Sequence, residues 1–423
     1  MTFIDEKPRV DVAVVGLGYV GMPLVQAAVR AGLSVTGFDT SEHVVRGIRG
    51  GTSHVDDLSD ADIGELLADG LHVTCDPEAL ARASTVLICV PTPLSETGGP
   101  DLTAVTSATT TVAEQLRPGT TVVLESTTYP GTTEEVVRPL LEKSGLTAGE
   151  DFHLAFSPER VDPGNPTWGI VNTPKVVGGL TPACTDAAVA FYTRFVDTVH
   201  RASSPKEAEM AKLLENTYRH VNIALVNEMA VFCNELGIDL WETIGLAKTK
   251  PFGYQAFYPG PGVGGHCIPI DPNYLSYRVR TLGYPFRFVD LAGEINNRMP
   301  EYVTARATAV LNRDRRSIAG SRVVLLGVTY KPDVADERES PAAAVARRVV
   351  AAGAELAYHD PYINNWSILG RPVERVENLA ESSADLYILL THHRQYVEGQ
   401  IDGLTPLLDT RGAISHRDGV ERL

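Results

Sequence analysis

Short apolar runs, separated by stretches with helical spacing, dominate the first part of the chain. Continuous runs rich in Val, Ile and Leu are typical of strands buried on both faces of a parallel sheet. Strands that alternate with helices favour a mostly parallel sheet with helices on both faces. The predicted elements, in chain order, are strand Val10–Val15, helix Met22–Ala31 and strands Ser34–Phe38, Thr85–Val90 and Thr121–Glu125.

The same alternation returns near the C-terminus, and long helices lie in between. Ser204-Pro205-Lys206-Glu207 is a capping box with Pro at the first helical position, and it predicts a helix that continues to Leu236, before Gly237. A second long helix is predicted at Val289–Asn312. The C-terminal elements are strand Arg322–Leu326, a helix from Pro341 to Ala352, and strands Ala354–Tyr358, Asp385–Leu390 and Leu407–Asp409.

This pattern predicts an α/β protein with two doubly wound domains joined by a long central helix and a helical middle domain. The predicted boundaries are 1–203 for the N-terminal domain, 204–312 for the helical domain and 313–423 for the C-terminal domain. A central helix of this length exceeds the span of one small domain, and it is a candidate dimer surface.

Composition excludes several classes of function. The 423 residues carry a formal charge of −16, which argues against binding to nucleic acid or to a membrane surface, since both are polyanions. There is no apolar run of about 18 residues and no basic-then-apolar leader, so we expect no membrane span and a cytoplasmic protein. Five scattered cysteines fit a reducing compartment better than a disulfide scaffold.

The strongest local motif is Gly16-Leu-Gly18-Tyr-Val-Gly21, which follows a strand and begins a helix. In this context Gly16 permits a tight turn, Gly18 lets a pyrophosphate approach the backbone, and Gly21 allows close helix–strand packing. Asp39 ends the next strand and is placed to accept hydrogen bonds from ribose hydroxyls. It would repel a 2′-phosphate, which favours NAD over NADP in a Rossmann-like domain. The alternative is a glycine turn in a domain that binds no nucleotide.

Three further positions carry chemistry. Cys267 lies in a loop of glycines and prolines, with Asp271 four residues later, and is a candidate nucleophile. The other four cysteines lie in apolar or helical stretches, where inert packing is expected. Lys212 and Asn216 share one helix face and would suit a developing oxyanion, unless they form a solvated surface pair. No Cys or His spacing indicates a metal site.

These motifs resemble, in order and over essentially the whole chain, the UDP-glucose/GDP-mannose dehydrogenase family. The segments that carry the resemblance are Gly16-Leu-Gly-Tyr-Val-Gly21, Val90-Pro-Thr-Pro93, Glu125-Ser-Thr127, Ser157-Pro-Glu159, Lys212-Leu-Leu-Glu-Asn216, Gly264-Gly-His-Cys267-Ile-Pro-Ile-Asp271, Gly327-Val-Thr-Tyr-Lys331 and Arg338-Glu-Ser340.

The resemblance implies roles for individual residues. The implied catalytic residues are Cys267 as the nucleophile, Lys212 and Asn216 as oxyanion stabilisers, Asp271 and Thr127 for water or protons, and Glu159 for thioester hydrolysis. The implied NAD-binding residues are Gly16, Gly18, Tyr19, Val20, Gly21, Asp39, Pro91, Thr92, Thr127 and Arg338. The implied substrate-binding residues are Glu159, Arg160, Lys212, Asn216, Tyr254, Phe257, Tyr258, Gly264, Lys331 and Arg411.

The implied reaction is the four-electron oxidation of a UDP-sugar C6 hydroxyl to a uronic acid, with two NAD⁺ and a Cys267 thiohemiacetal and thioester. The family is typically homodimeric through the central helix. The UDP-glucose branch commonly carries Lys just before Asp271, where this chain has Ile270. The loop resembles instead the branch that acts on UDP-N-acetylhexosamines, such as UDP-N-acetylglucosamine. UDP-glucose oxidation and a two-electron β-hydroxyacid dehydrogenase are the alternatives, and ordinary packing is the alternative for Tyr254, Phe257 and Tyr258.

Overall fold

The computed structural model describes residues 9–423 except 56, 96–97, 163–164, 166 and 266–267. The chain divides into two compact units. The first comprises the chain up to Glu215 together with Asn273–Tyr284, and the second comprises Asn216–Pro272 and Pro285–Leu423. The expected division into three domains stays a prediction.

The first unit contains an eight-stranded sheet. Its neighbouring strands run parallel except at the β6–β7 pair, and their spatial order is β3-β2-β1-β4-β5-β6-β7-β8. The strands are β1 Val10–Val15, β2 Val35–Phe38, β3 His72–Thr74, β4 Ala83–Ile88, β5 Thr121–Leu124, β6 His153–Phe156, β7 Lys175–Gly179 and β8 Val199–Arg201. The order reverses at β1, between β2 and β4, which is where doubly wound sheets open a crevice at their carboxyl edge.

Helices pack their apolar side chains on both faces of this sheet. They are α1 Gly21–Arg30, α2 Glu42–Arg49, α3 Asp60–Ala68, α4 Thr103–Gln115, α5 Arg138–Leu141 and α6 Pro182–Tyr192. Side-chain caps begin several of them; Ser59 and Asp62, for example, form a reciprocal capping box at α3.

Four further helices follow: α7 Pro205–Leu236, α8 Leu240–Lys248, α9 Asp271–Thr281 and α10 Arg287–Arg313. The predicted start of α7 is observed, because Ser204 Oγ accepts a hydrogen bond from Lys206 N and donates one to the Glu207 carboxylate. The N-cap of α8 is Asp239, whose carboxylate accepts from two backbone N–H groups. The boundary between the two units falls inside α7.

The second unit contains a parallel six-stranded sheet with the order β13-β10-β9-β14-β15-β16, and a β11–β12 hairpin. The helix that follows β9 is α11 Pro341–Ala351. The strands are β9 Arg322–Leu326, β10 Glu355–His359, β11 Ser367–Ile368, β12 Arg371–Pro372, β13 Glu374–Arg375, β14 Leu386–Leu389, β15 Leu407–Asp409 and β16 Val420–Arg422. Both sheets are of the Rossmann type, so the predicted fold class is confirmed.

The predicted bounds of β1, β9 and β15 match the observed ones, whereas β4 begins and ends two residues before its prediction. Cys89 N still donates to Val15 O, but Val90 N bonds to the Ser126 hydroxyl instead of a neighbouring strand. The apolar run Thr85–Val90 therefore extends two residues beyond the end of strand β4. Within the described residues, no helix combines the length and the apolar character that crossing a bilayer requires.

Candidate active site

The glycine turn after β1 has the geometry that a dinucleotide requires. Gly16 has φ +92°, and a Cβ there would lie 2.6 Å from Cys89 O. A Cβ on Gly21 would lie 1.9 Å from Gly16 O, so this position also requires glycine. A Cβ on Gly18 would meet no atom within 4 Å. The open space at Gly18 fits the approach of a pyrophosphate to the backbone.

Asp39 fixes this turn from the end of β2. Its Oδ2 accepts a 2.9 Å hydrogen bond from Leu17 N, and its Oδ1 accepts a 2.8 Å bond from Ser41 N. Each carboxylate oxygen has a second lone pair, so hydrogen bonds to a ribose remain compatible with these contacts. Asp39 thus orders the turn as well as presenting a carboxylate beside it. The two other predicted residues of the turn are the exposed Tyr19 and the half-buried Val20.

The loops after β4 and β5 are tied together at the same edge of the sheet. Ser126 Oγ accepts from Val90 N at 3.0 Å and donates to Val90 O at 2.7 Å. This pairing holds Pro91 and Thr92, which follow Val90, near Thr127, which follows Ser126. They follow β4, which neighbours β1, and β5, which is the next strand along, so both loops lie beside the switch in strand order.

The residues of the first unit fit NAD. Within the described residues, no side chain caps α1, so the glycine turn itself forms the approach to the positive end of this helix. Nine of the ten predicted NAD-binding residues lie in this unit. Arg338 lies in the second unit, where its guanidinium donates to the Asp336 carboxylate at 2.7 and 2.8 Å.

Lys212 is buried rather than solvated. It is 8% exposed, and its ammonium donates a 2.5 Å hydrogen bond to Glu159 O. Arg160, next in the chain, donates to the Glu215 carboxylate at 2.6 Å and to Pro174 O at 2.5 Å. The loop after β6 is therefore attached to the first turns of α7, with the Lys212 cation directed at its backbone. The surface-pair alternative for Lys212 is excluded by this burial.

A buried charged group behind this loop was missed by the sequence analysis. The Lys175 ammonium forms a 2.8 Å ion pair with the fully buried Glu125 carboxylate, which also accepts a hydrogen bond from Tyr192. Burial raises the pKa of the neighbouring Cys89 thiol well above its usual value, helped by the Glu125 charge. Cys89 is therefore an inert thiol. Glu125 directly precedes Ser126 and Thr127, so the ion pair supports the loop after β5.

In the second unit, Asn216 Nδ2 donates a 2.6 Å hydrogen bond to Asp271 Oδ2. Both side chains are buried, at 8% and 3% exposure. The predicted nucleophile Cys267 and its neighbour His266 lie outside the described residues. The structure thus brings Asn216 and Asp271 together, a contact that the sequence analysis did not predict.

The glycine loop before Cys267 packs closely against neighbouring residues at Gly264 and Gly265. A Cβ on Gly264 would lie 2.9 Å from Glu339 O and from the Pro341 ring. Gly265 has φ +87°, and a Cβ there would lie 3.0 Å from the Tyr330 ring. Side chains at these positions are excluded by contacts with the loop after β9, which leads to the predicted substrate residue Lys331.

The second sheet repeats the geometry of the first at its carboxyl edge. Asp360 ends β10 and accepts from Val328 N at 2.7 Å and Tyr362 N at 2.8 Å, as Asp39 does at β2. His393 Nδ1 accepts from Asp333 N, so its Nε2 carries the proton and donates to Asp360 at 3.1 Å. Although burial opposes ionisation, the His393 bond and backbone donors hold the pKa of Asp360 below its usual value. The shared strand–glycine and strand–Asp pattern was the available sequence signal for Asp360.

Arg411 lies at the same edge, after β15. Its Nε donates to Leu390 O at 2.6 Å, and its backbone N donates to Asp409 at 2.8 Å. Burial lowers the pKa of its guanidinium to about 10, against the opposing Asp409 charge. Arg411 therefore stays cationic at neutral pH and is suited to an anionic ligand.

The three predicted aromatic substrate residues differ in their surroundings. Phe257 packs edge-to-face on Tyr218, at 5.6 Å between ring centroids, and joins a small apolar cluster on α7. Tyr258 stacks on Trp241 at 5.6 Å with 12° between planes. Tyr254 is 41% exposed. Ordinary packing accounts for Phe257, while Tyr254 and Tyr258 present exposed ring surface.

No cluster of three or more His, Cys, Asp or Glu residues that could hold a metal occurs among the residues the structure describes. The absence of a metal site stays a prediction for the chain as a whole.

Comparisons with known proteins match all three parts of one family. The UDP-glucose/GDP-mannose dehydrogenase family models match as the NAD binding domain over residues 10–196, the central domain over 206–298 and the UDP binding domain over 324–417. A UDP-N-acetyl-D-glucosamine 6-dehydrogenase of Pseudomonas aeruginosa is 37% identical over 84% of this chain and 83% of its own. A UDP-N-acetyl-D-mannosamine dehydrogenase of Pyrococcus horikoshii is 35% identical over 91% and 90%.

Solved structures of UDP-sugar dehydrogenases also match this chain over nearly its whole length. The UDP-D-ManNAc dehydrogenase of Pyrococcus horikoshii matches with a TM-score of 0.88 and 33% identity over 97% of this chain and 98% of its own. A UDP-glucose dehydrogenase of Pyrobaculum islandicum matches with a TM-score of 0.86 and 26% identity over 100% and 98%. The expected NAD-dependent oxidoreductase activity and NAD cofactor are confirmed. The chain belongs to the UDP-glucose/GDP-mannose dehydrogenase family.

Proposed function

We propose that this chain is a UDP-N-acetylhexosamine 6-dehydrogenase, which oxidises the C6 hydroxyl of its substrate to a carboxylate. The observation that carries the proposal is the buried pair of Lys212 and Asn216, one turn apart on α7, with Asn216 bonded to Asp271. The choice of an N-acetylated sugar is supported by relatives named for UDP-N-acetyl-glucosamine and -mannosamine that cover most of the chain.

The proposed route has two oxidations, each of which removes a hydride and a proton from the substrate. NAD⁺, when bound, supplies the hydride acceptor for both. The first oxidation converts the C6 alcohol to an aldehyde. The Cys267 sulfur then attacks the aldehyde carbon and forms a thiohemiacetal, which keeps the aldehyde from escaping while the reduced cofactor is exchanged.

The second oxidation converts the thiohemiacetal to a thioester, and water displaces the Cys267 thiol to release the acid. The Lys212 ammonium and the Asn216 amide would stabilise the oxyanions of these steps, because preorganised donors in a buried site act most strongly on developing charge. Asp271 and Thr127 would position water or take a proton, and Glu159 would assist the hydrolysis.

We propose that NAD is held by the turn from Gly16 to Gly21, by Asp39 and by the loops at Thr92 and Thr127, with Arg338 as a further contact. The UDP-sugar is assigned to Glu159, Arg160, Lys212, Asn216, Gly264, Lys331 and Arg411, and to the aromatic residues Tyr254, Phe257 and Tyr258. The cationic Arg411 supports a diphosphate contact at the carboxyl edge of the second sheet.

We also propose a homodimer formed through α7 and a cytoplasmic location. Exposed apolar side chains recur at helical spacing along α7, including Leu225, Phe232 and Leu236 at 53%, 45% and 68% exposure. Such a stripe is typical of a helix that packs on a partner. The free cysteines Cys75, Cys89, Cys184 and Cys233 support a reducing compartment.

A substrate panel tests the specificity. We expect NADH formation with UDP-N-acetylglucosamine or UDP-N-acetylgalactosamine at a kcat/KM at least tenfold above that with UDP-glucose. The reverse order would assign the chain to the UDP-glucose alternative. Activity only on a small β-hydroxyacid would overturn the proposed class.

A further inference from the structure

Two asparagines on α7 hold the two ends of the segment between Gly260 and Asp271. Asn216 donates to the Asp271 carboxylate at 2.6 Å, and Asn227 Oδ1 accepts from Gly260 N at 2.9 Å. Eleven residues separate the asparagines, which is about three helical turns or ~16 Å, so they share one face of α7. Asn216 has a proposed catalytic role, whereas Asn227 has none so far.

Asn227 belongs to a buried hydrogen-bonded network with Asn296 and His220. It is 0% exposed, and its Nδ2 donates a 2.9 Å hydrogen bond to Asn296 Oδ1 on α10. Asn296 Nδ2 donates in turn to His220 O at 3.3 Å, and it lies 3.5 Å from His220 Nδ1. Burial lowers the pKa of His220, which is therefore neutral at physiological pH. Such a satisfied network fixes the direction of the Asn227 carboxamide.

The residue that Asn227 holds lies against the Arg411 guanidinium. A Cβ on Gly260 would lie 2.7 Å from Arg411 Nη1 and 3.3 Å from Cζ, so the bare Cα faces the cation. The guanidinium also donates from Nε to Leu390 O. The planar group is therefore in contact with Gly260 while it is bonded to Leu390, and its orientation depends on where Gly260 is held.

We infer that Asn227 is a positioning residue for Arg411: by holding the Gly260 amide, it fixes the surface on which the guanidinium lies and so sets the affinity for a nucleoside diphosphate. The orientation of a guanidinium matters because its N–H groups form a rigid fork that matches phosphate oxygens. The inference rests on the proposed contact between Arg411 and the UDP-sugar. Asn296 acts one step further away, by orienting Asn227.

The test measures UDP affinity by calorimetry on the full chain, with NAD⁺ affinity as an internal control. Asn227→Leu removes both hydrogen bonds at similar volume, and we expect it to raise the Kd for UDP about tenfold. Asn227→Asp keeps the acceptor for Gly260 N. The Asn296 amide must turn over to donate to the new carboxylate and gives up its bond to His220 O, but the hold on Gly260 remains, and we expect a Kd within about threefold of the parent. Asn234→Ala, at an exposed position of α7, is the matched control and should leave both affinities unchanged.

Gly260→Ala is the second test, because it keeps the backbone donor and places a methyl group against the guanidinium. We expect Gly260→Ala to lose as much UDP affinity as Asn227→Leu. The Gly260→Ala measurement also tests the inference if Asn227→Leu fails to fold. A merely structural role for Asn227 predicts that Leu is tolerated better than Asp, and that order would overturn the inference. Unchanged UDP affinity in Gly260→Ala would overturn it as well.

Arg411→Ala separates this inference from the proposed function. If this change weakens UDP binding at least tenfold while Asn227→Leu does not, the positioning role is wrong and the Arg411 contact stands. If Arg411→Ala leaves UDP affinity unchanged, the proposed substrate contact is wrong, and the positioning role is overturned with it.

Discussion

The side-chain amide of Asn216 donates a 2.6 Å hydrogen bond to the carboxylate of Asp271, with both groups buried. The bond uses one N–H of the amide and leaves the other N–H and the carbonyl for other partners. It also directs the Asp271 carboxylate from the first turn of α9 back toward α7. Among the described residues, Asn216 and Asp271 are therefore the pair on which the proposed chemistry most depends.

Removal of this amide should reduce turnover more than substrate affinity. Asn216→Ala deletes an oxyanion donor and releases Asp271, so we expect kcat to fall roughly 10²–10³-fold, as for the loss of one such donor. The KM should change by less than about fivefold. Steady-state NADH kinetics measure both, with Asn234→Ala as the control, and a raised KM at unchanged kcat would contradict the role.

The Lys212 ammonium should be equally important. Lys212→Met keeps the approximate length of the side chain and removes the cation that is directed at Glu159 O. We therefore expect kcat to fall roughly 10²–10³-fold. Lys206, which lies on the same helix as Lys212, forms an exposed ion pair with Glu134, and Lys206→Met is the matched control. A fall in kcat that is no larger for Lys212→Met than for Lys206→Met would remove Lys212 from the mechanism.

Glu209 should make the stability of the first unit depend on pH. Burial of its carboxyl group raises the pKa from the usual 4.5 to about 7, although Thr133 and Gly131 donate hydrogen bonds to it. Between pH 4.5 and 7 the folded state holds a proton that the unfolded state has lost. The free energy of unfolding should therefore decrease by about 3 kcal/mol as pH rises through this window.

Urea unfolding from pH 5 to pH 8 measures this dependence. In Glu209→Gln the free energy of unfolding should fall much less as pH rises, whatever the change in absolute stability. In Glu207→Gln, a change of an exposed carboxylate on the same helix, the decrease should remain. A decrease of the same size in Glu209→Gln and in the parent would show that another group causes it.

The apolar stripe on α7 should determine the oligomeric state. Leu225→Lys with Phe232→Lys places two cations on the exposed stripe, and light scattering should show the mass of one chain instead of two. Asn234→Lys, on the opposite face of the helix, should leave the mass unchanged. A parent protein that is already monomeric at micromolar concentration would rule out the proposed dimer.

Local signals account for what the sequence predicted well. Strand β1, the Gly16–Gly21 turn and the Ser204 cap each depend on residues within a few positions, and all are observed. The lower accuracy at β4 has a physical cause, because its end is set by the Ser126 hydroxyl on another loop. Hydrophobicity alone carries no information on such a partner.

The missed contacts join residues far apart in sequence. Asn227 meets Gly260 across 33 positions, and Lys175 meets Glu125 across 50. None of these residue types is unusual where it stands, and only the packing of helices and strands brings them together. Asp360 differs, because its place at the end of a second strand after a glycine turn mirrors Asp39 and was open to prediction.

The decisive measurement for the proposed thioester route is the ratio of NADH formed to uronic acid formed from UDP-N-acetylglucosamine. We expect a ratio of two in the parent protein, with no free aldehyde trapped by a hydrazine reagent. We expect Cys267→Ser to abolish the second oxidation. A ratio of one with accumulating aldehyde in the parent, or full turnover to the acid in Cys267→Ser, would contradict the proposed route.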